Sequence, residues 1–491
     1  MSSFFAVVKL TCRSAWRSHI FQLLLVVLVL CIFILPNTLI SDGTLKGEIQ
    51  LLLQYSFGFI FGILAISSVW LVCSEVCSDV ENGKLHMLTV KPISRAKILL
   101  AKFTGVVLIH LILLFISSVV IYIFVMAKMS DRNWFFGESK LKTEEQLAEH
   151  QAVRSQIFIA KRKYAPEMPD FNELAQQEFQ VRMEEAKKNN QDISQYTIGT
   201  SATNILEDIR NELLLQAALV KTGDLLVWKY SGLADNITAP LYLRYHIYPM
   251  NGVSNEQDRT YGAWMFRIYY LRNDEDANAA NPDETVVSEI QSLNPEIMLT
   301  SLETEMLIPI RPEYLIYKGN VEVGFTNLDV DEKPLTFEYS KGPFLLVPVT
   351  GFFNNYLRTV LVMAFGICSL TLVAAACSAC FSLPIAIFFS VAYIFAGIIA
   401  DYLISSFTDL PGYQPSGIEV YGQVAGGILT KLIVPLQDFF VTGFLASGEL
   451  IEWATVISVF LFDVLFRSLP LYLLGTWLYS RRELALEMKR G

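Results

Sequence analysis

Val80-Glu-Asn-Gly-Lys-Leu-His-Met-Leu-Thr-Val-Lys-Pro-Ile-Ser-Arg-Ala-Lys-Ile-Leu-Leu-Ala-Lys102 is a short charged segment between two long apolar runs. Runs of about twenty apolar residues satisfy their backbone hydrogen bonds in lipid only as helices. A charged segment between two such runs, punctuated by Gly83 and Pro92, must turn at a membrane face. A soluble partner can reach it there.

Working outward, the chain has 491 residues, of which 53% are hydrophobic, above the usual share of a soluble protein. The apolar residues gather into runs at 20–40, 50–73, 98–127, 355–379, 384–404 and 452–479. Each is near the roughly 20 residues that cross a hydrocarbon core. The expected fold class is a polytopic α-helical membrane protein with six spans and an inserted α+β extracytoplasmic domain.

Lys and Arg near span ends resist translocation and so orient the chain. Lys9, Arg13, Arg17, Lys84, Lys91, Arg95, Lys97, Lys102, Arg481, Arg482, Lys489 and Arg490 fall on one side, against Lys46 and Lys431 in the short loops opposite. Both termini are expected in the cytoplasm of a bacterial-type inner (plasma) membrane, with 128–354 outside. That outer segment holds 22 Lys and Arg against 34 Asp and Glu, a charge of −12 in a chain of net −10. The acidic balance is therefore a property of the outer segment. The first apolar run is followed by Leu35-Pro36-Asn37 rather than a small-residue cleavage site, and reads as a signal anchor. Seven cysteines, none within 128–354, imply no disulfide framework outside.

Residues 1–19 contain a basic stripe, Lys9, Arg13 and Arg17, opposite Phe4, Phe5, Val8, Cys12, Ala15 and Trp16, the pattern of an interfacial amphipathic helix. Spans one to three fill 20–127. Within 128–354, residues 140–190 are rich in Glu, Gln, Lys and Ala and predict a polar helical hairpin, an arm broken at Pro166 and Pro169. A helix that starts near Ser201 or Thr203 and stops at Gly223 carries Ile205, Leu206, Ile209 and Leu213 inward. From about 225 to 350 a period of two, as in Leu241, Leu243, Tyr245 and Ile247, predicts a β-rich, sandwich-like part. Spans four to six fill 355–480, and 481–491 is a cytoplasmic tail. The run 421–446 is broken by Gly426-Gly427, Lys431, Pro435 and Asp438. Because a seventh crossing would move the basic tail outside, it is expected to be a re-entrant hairpin.

Asp79, Glu81 and Asn82 carry helix-start chemistry, Gly83 permits close approach, and Pro92-Ile-Ser94 breaks the chain before the next helix. Glu81-Asn-Gly-Lys-Leu-His-Met-Leu-Thr-Val-Lys-Pro-Ile-Ser94 followed by Lys97-Ile-Leu-Leu-Ala-Lys102 resembles the cytoplasmic loop of ABC transporter permeases of the type-two, exporter-related family. The resemblance continues in the amphipathic N-terminal helix, the broken hairpin before the last span and the ending Tyr479-Ser-Arg-Arg-Glu-Leu-Ala485. It covers 1–127 and 352–485, whereas 128–351 departs from the family's compact members.

The resemblance implies that 79–90 is a coupling helix, with Asp79, Glu81, Asn82, Gly83, Lys84, Leu85 and Leu88 meeting an ATPase subunit. It implies two ATPase copies and a second permease chain, identical or related. No phosphate-cradling G-x-x-x-x-G-K-[ST] occurs in the sequence. Catalysis, ATP and Mg are therefore expected in the partner, with no cofactor on this chain and no nucleic acid. The function expected is that of an exporter permease. The alternative is a mechanotransmission permease that drives a periplasmic partner of the 140–190 arm without moving a solute. A lone ion-coupled carrier would require more intramembrane charge than the sequence holds.

Asp463 and Arg467 lie one helical turn apart inside the last span, where an ionisable group costs roughly 3 kcal/mol. They form either a self-neutralising structural pair or a functional pair facing a wet cavity. His110 in the third span is a packed neutral histidine or a ligand. Lys102 is near enough to its span end to snorkel to the interface. Cys73-x-x-x-Cys77 and Cys377-x-x-Cys380 lack the further ligands of a tetrahedral set, so no metal is expected and small buried thiols are.

Overall fold

A computed structural model describes residues 3–38, 43–81, 93–130, 144–189, 199–234, 237, 239–249, 259–271, 286–293, 296–298, 306–311, 316–328, 334–339, 341–399, 421, 427, 431 and 433–481. The chain divides into two compact units, one formed by Lys161–Val349 and the other by the chain before and after it.

In the first unit four helices are long and apolar enough to cross a membrane: α3 (Leu45–Glu81), α4 (Arg95–Lys128), α8 (Phe352–Cys380) and α11 (Trp453–Arg481). A fifth crossing arises if α1 (Ser3–Arg17) and α2 (His19–Thr38), bent by 70° at Ser18, act as one span. The described helices thus number four spans, or five, where the sequence predicts six. Helix α9 (Leu383–Ile398) accounts for the difference. Its 16 residues rise about 24 Å, less than the roughly 30 Å of a hydrocarbon core.

Helix α1 buries Val7, Val8, Thr11 and Ala15, while Phe5 and Trp16 of its expected apolar face remain exposed. Its approach to α4 is close at Gly105, where a Cβ would stand 2.9 Å from Thr11 Cβ. Helix α3 runs unbroken through Glu81, so Asp79 and Glu81 close a long helix rather than opening the separate one expected at 79–90. Helix α4 starts after Ser94, whose Oγ accepts from Lys97 N at 3.4 Å. The rest of the expected coupling segment, 82–92, lies outside the described residues.

Helix α8 is the hub of this unit, packing against α3, α4, α9 and α11. Two glycines permit that closeness. A Cβ on Gly475 of α11 would stand 2.7 Å from Ala376 Cα, and one on Gly366 would stand 2.8 Å from both Phe61 and Phe439. Part of the expected hairpin 421–446 lies outside the described residues. Its described end is a 3-10 turn at Leu436–Phe439 and a short helix α10 (Thr442–Ala446).

This broken stretch buries Val434, Phe439, Val441, Leu445 and Ala446. Side chains of neighbouring helices satisfy part of its backbone and of the chain that follows it. Tyr393 OH accepts from Val434 N at 3.1 Å, Gln50 Nε2 donates to Ala446 O at 3.2 Å, and Asn355 both donates to Glu449 O (2.7 Å) and accepts from Ile451 N (2.8 Å). Irregular backbone persists at membrane depth only when protein covers it in this way.

The arm expected over 140–190 is not a helical hairpin. Helix α5 (Glu144–Gln156) sits in the first unit and packs on α3, with Val153 and Ile157 in its core. Ile159–Tyr164 then forms a strand, β1. Its lysines pack on aromatic rings: the ammonium of Lys161 lies 4.9 Å from the Tyr242 ring centroid and that of Lys163 lies 3.8 Å from that of Phe344. Helix α6 (Phe171–Lys188), capped by Asp170, pairs instead with α7 (Gly199–Ala218) through Ala175, Leu206 and Ile209.

In the second unit three antiparallel sheets, rather than the two of a sandwich, share one core. The first has the order β1-β12-β4-β9, with β4 Leu241–Tyr245, β9 Met306–Ile310 and β12 Phe344–Gly351. The second is β3-β10-β6-β7 with β8 on β6. Its members are β3 Leu225–Tyr230, β6 Arg259–Leu271, β7 Val286–Leu293, β8 Glu296–Met298 and β10 Val321–Asn327. The third is β2-β11-β5, of Leu219–Val220, Leu335–Phe337 and Ile247–Pro249. Trp264 lies at the centre, with its ring 4.7 Å from Tyr245 and 4.9 Å from Phe325. Burial drives the Tyr245 phenol up to about 12 and raises that of Tyr230 as well.

Candidate functional site

Helices α3 and α4 run antiparallel and are joined by an ion pair at each end. Lys128 Nζ meets Glu48 Oε2 at 2.6 Å with both side chains about one third exposed. At the opposite end Lys102 Nζ meets Asp79 Oδ2 at 2.5 Å and also donates to Glu75 O. The Lys102 side chain is only 4% exposed, so it points inward and does not snorkel. Asp79 therefore anchors the base of the 82–92 segment to α4. Glu81 is the last residue of α3, while Asn82, Gly83, Lys84, Leu85 and Leu88 lie outside the described residues.

His110 is fully buried between the same helices. Its Nδ1 is 2.8 Å from Val106 O, which only accepts, so Nδ1 carries the proton; Nε2, 3.0 Å from Ser67 Oγ, accepts from that hydroxyl. Both ring nitrogens are engaged, as in a neutral structural bridge. Cys73 and Cys77 donate to Ala374 O and Ser378 O, each at 3.7 Å, and so add to the α3–α8 contact.

Asp463 and Arg467 are ion-paired, as their spacing predicts, but they do not stand on a regular α-helix. From Val459 to Ser468 helix α11 widens to π geometry, and Ser468 Oγ donates to Asp463 O at 2.7 Å. Ser369 of α8 lies 2.5 Å from Ser468, hydroxyl to hydroxyl. A π segment re-aims side chains relative to the turns on either side, and such segments gather at functional sites.

The broken stretch before α11 adds two partners. Asp438 Oδ2 lies 3.6 Å from Arg467 Nη1, and Arg467 Nε donates to Lys431 O at 3.3 Å. Asp463 is buried, whereas the side chains of Arg467 and Asp438 are 22% and 44% exposed. They share a cleft of about 300 Å³ with Gln437, Thr455 and Ser458.

Asp438, Ser369 and Ser468 are the members sequence reasoning did not place. Asp438 had a legible signal, a carboxylate inside an apolar run, but its partner lies 29 positions away on another element. Chemically the cleft joins a buried, self-neutralised pair to a half-exposed carboxylate and three neutral polar groups. It can hold a polar or charged group within an apolar wall.

No family model matches the chain, and neither a curated protein nor a solved structure matches it.

Proposed function

We propose that the chain is the membrane-spanning permease subunit of an ATP-driven ABC transporter of the exporter type. In this reading six spans cross an inner (plasma) membrane, α9 and the residues after it supply one of them, both termini are cytoplasmic and 128–354 lie outside. ATP and Mg are handled by two copies of a separate ATPase subunit, which press on the segment after Asp79. A second permease chain completes the unit.

One observation carries this reading. The charged segment whose sequence resembles a coupling loop joins two long apolar helices that a buried ion pair, Asp79–Lys102, clamps at its base. A push on 82–92 would then move α3 and α4 together, and through the contacts of α3 and α4 with α8 it would reach the hub of the unit. ATP binding to the partner would shift the population between inward- and outward-open states by its unequal affinity for them.

Gentle purification from the native membrane tests the proposal. A nucleotide-hydrolysing protein should co-purify, and Gly83→Trp should abolish its association while leaving the permease folded. Absence of any ATPase, or unchanged association of the variant, overturns it.

A second reading, force transmission to an outer partner, is favoured by the separate aromatic core of the Lys161–Val349 unit and by the ion-paired α6–α7 helices. Arg182 bridges Glu178 and Glu212 there, each at 2.9 Å. Replacing 171–213 with a Gly/Ser linker discriminates the two. Transport by the reconstituted complex persists if the chain is an exporter permease, and the linker abolishes only the outer partner's response if it is a transmitter.

A further inference from the structure

From helix α1 we infer that this protein binds the phosphates of anionic phospholipid headgroups at the membrane surface. This inference is independent of ATP coupling.

The first 41 residues carry Lys9, Arg13 and Arg17 and no Asp or Glu. Their spacing of four sets the three cations in one row about 12 Å long. Val7, Val8, Thr11 and Ala15 are buried, and the row is exposed on the opposite side of the helix. None of the three cations has a hydrogen-bond or ion-pair partner among the described residues. The ends of α3 and α4 at this face balance in formal charge, Glu75, Asp79 and Glu81 standing against Arg95, Lys97 and Lys102. They leave the row of α1 uncompensated. Arg13 and Arg17 suit phosphate oxygens as planar forks, and Lys9 suits them as a point charge. With no carboxylate among the three, the cationic half of a zwitterionic headgroup finds no partner there.

Helix lengths put this row at the bilayer surface. Helix α2 has 20 residues and rises about 30 Å, the thickness of a hydrocarbon core. With α2 across that core, the 70° bend at Ser18 lays α1 nearly along the surface. A second measure agrees. Gly105, where α1 touches α4, lies about 35 Å along that helix from Lys128, whose pair with Glu48 marks the far end.

The flanks of the row argue for lipid over an acidic protein or a free phosphate. Phe5 and Trp16 border it on one side and Leu10 on the other, and they are 61%, 59% and 57% exposed. Apolar groups at this level reach hydrocarbon while the cations beside them meet phosphate. Because the bundle already holds α1 by its buried face, the row is preorganised and binding carries no cost of forming the helix.

The test is native mass spectrometry of the purified full chain, without nucleotide, titrated with short-chain phosphatidylglycerol or phosphatidylcholine. Wild type should prefer phosphatidylglycerol about tenfold, the effect of one or two juxtamembrane cations on one anionic headgroup. Lys9→Gln with Arg13→Gln and Arg17→Gln should bring that ratio to about one, with the fold checked by circular dichroism, and each single substitution should lower it about twofold. Removing three exposed cations from α6 and α7, as Lys187→Gln with Lys188→Gln and Arg210→Gln, should leave it near tenfold. Equal binding of the two lipids by wild type, an unchanged ratio in the α1 variant, or an equal fall in the α6–α7 variant overturns the inference. If the α1 variant keeps the ratio but loses a protein that co-purifies with wild type, the row binds an acidic protein and the inference fails. Displacement by soluble glycerophosphoglycerol at the same concentration as the lipid also overturns it, because the ligand would then be a free phosphate ester.

Discussion

Removing the ammonium of Lys102 tests the clamp between α3 and α4. In Lys102→Met the Asp79 carboxylate, about 12% exposed, loses its counter-ion, and the Glu75 carbonyl loses a donor. Breaking a buried pair by removing one partner costs about 3–5 kcal/mol, because a charge is left uncompensated in a poor solvent for it. Replacing both partners by neutral groups avoids that penalty, so Asp79→Asn with Lys102→Met should recover most of the loss.

The pair at the other end of the same helices is an internal control. Glu48 and Lys128 are 40% and 32% exposed, and Lys128→Met should cost only about 0–1 kcal/mol and lose even that at high salt. Reversible unfolding of the full chain in mixed micelles, read by tryptophan fluorescence, gives the four free energies. Hydrogen exchange at 70–81 and 95–105 locates the change. If Lys102→Met unfolds within about 0.5 kcal/mol of wild type, or Lys128→Met is the costlier of the two, then burial does not govern these pairs and the clamp is refuted.

Gly475→Ala would place a methyl 2.7 Å from the Ala376 backbone, which cannot yield as a flexible side chain can. It should destabilise the chain by about 1–3 kcal/mol, whereas Gly62→Ala, with open space around it, should be neutral in the same unfolding assay. His110→Phe leaves the Ser67 hydroxyl and the Val106 carbonyl without their ring partners, and a loss of about 1–3 kcal/mol is expected; Ser67→Ala should cost less because His110 keeps its Val106 bond. In the second unit, Tyr245 keeps its proton until about pH 12 when folded but ionises near 10 when unfolded. Stability is therefore intact below about pH 10 and falls as pH rises toward 12, and Tyr245→Phe should flatten that slope in hydrogen exchange of β4 and β6.

The apolar helices were legible because burial in lipid or in a helical bundle needs only long runs of the right residues. Leu45–Glu81, Phe352–Cys380 and Trp453–Arg481 coincide with expected spans to within a few residues, apart from the extensions of α3. The bend between α1 and α2 was legible in the basic stripe of Lys9, Arg13 and Arg17. Strands β4, β6, β9, β10 and β11 fall on short alternating runs of the sequence, whereas β3 and β12 carry no such signal. In β3 the outward residues Leu225 and Val227 are themselves apolar, and in β12 four successive residues are buried on both faces, so no period of two could be seen.

The sequence by itself determined that several segments leave water and that Asp463 and Arg467 pair, because hydropathy and i,i+4 spacing act along the chain. Only tertiary structure decided that Lys102 turns inward to Asp79, that Lys161 and Lys163 lie on aromatic rings, and that Asp438 joins Arg467. Each of those depends on a partner brought from a distant position. The free energy of a charge is set by what surrounds it in space, which residue order alone does not encode.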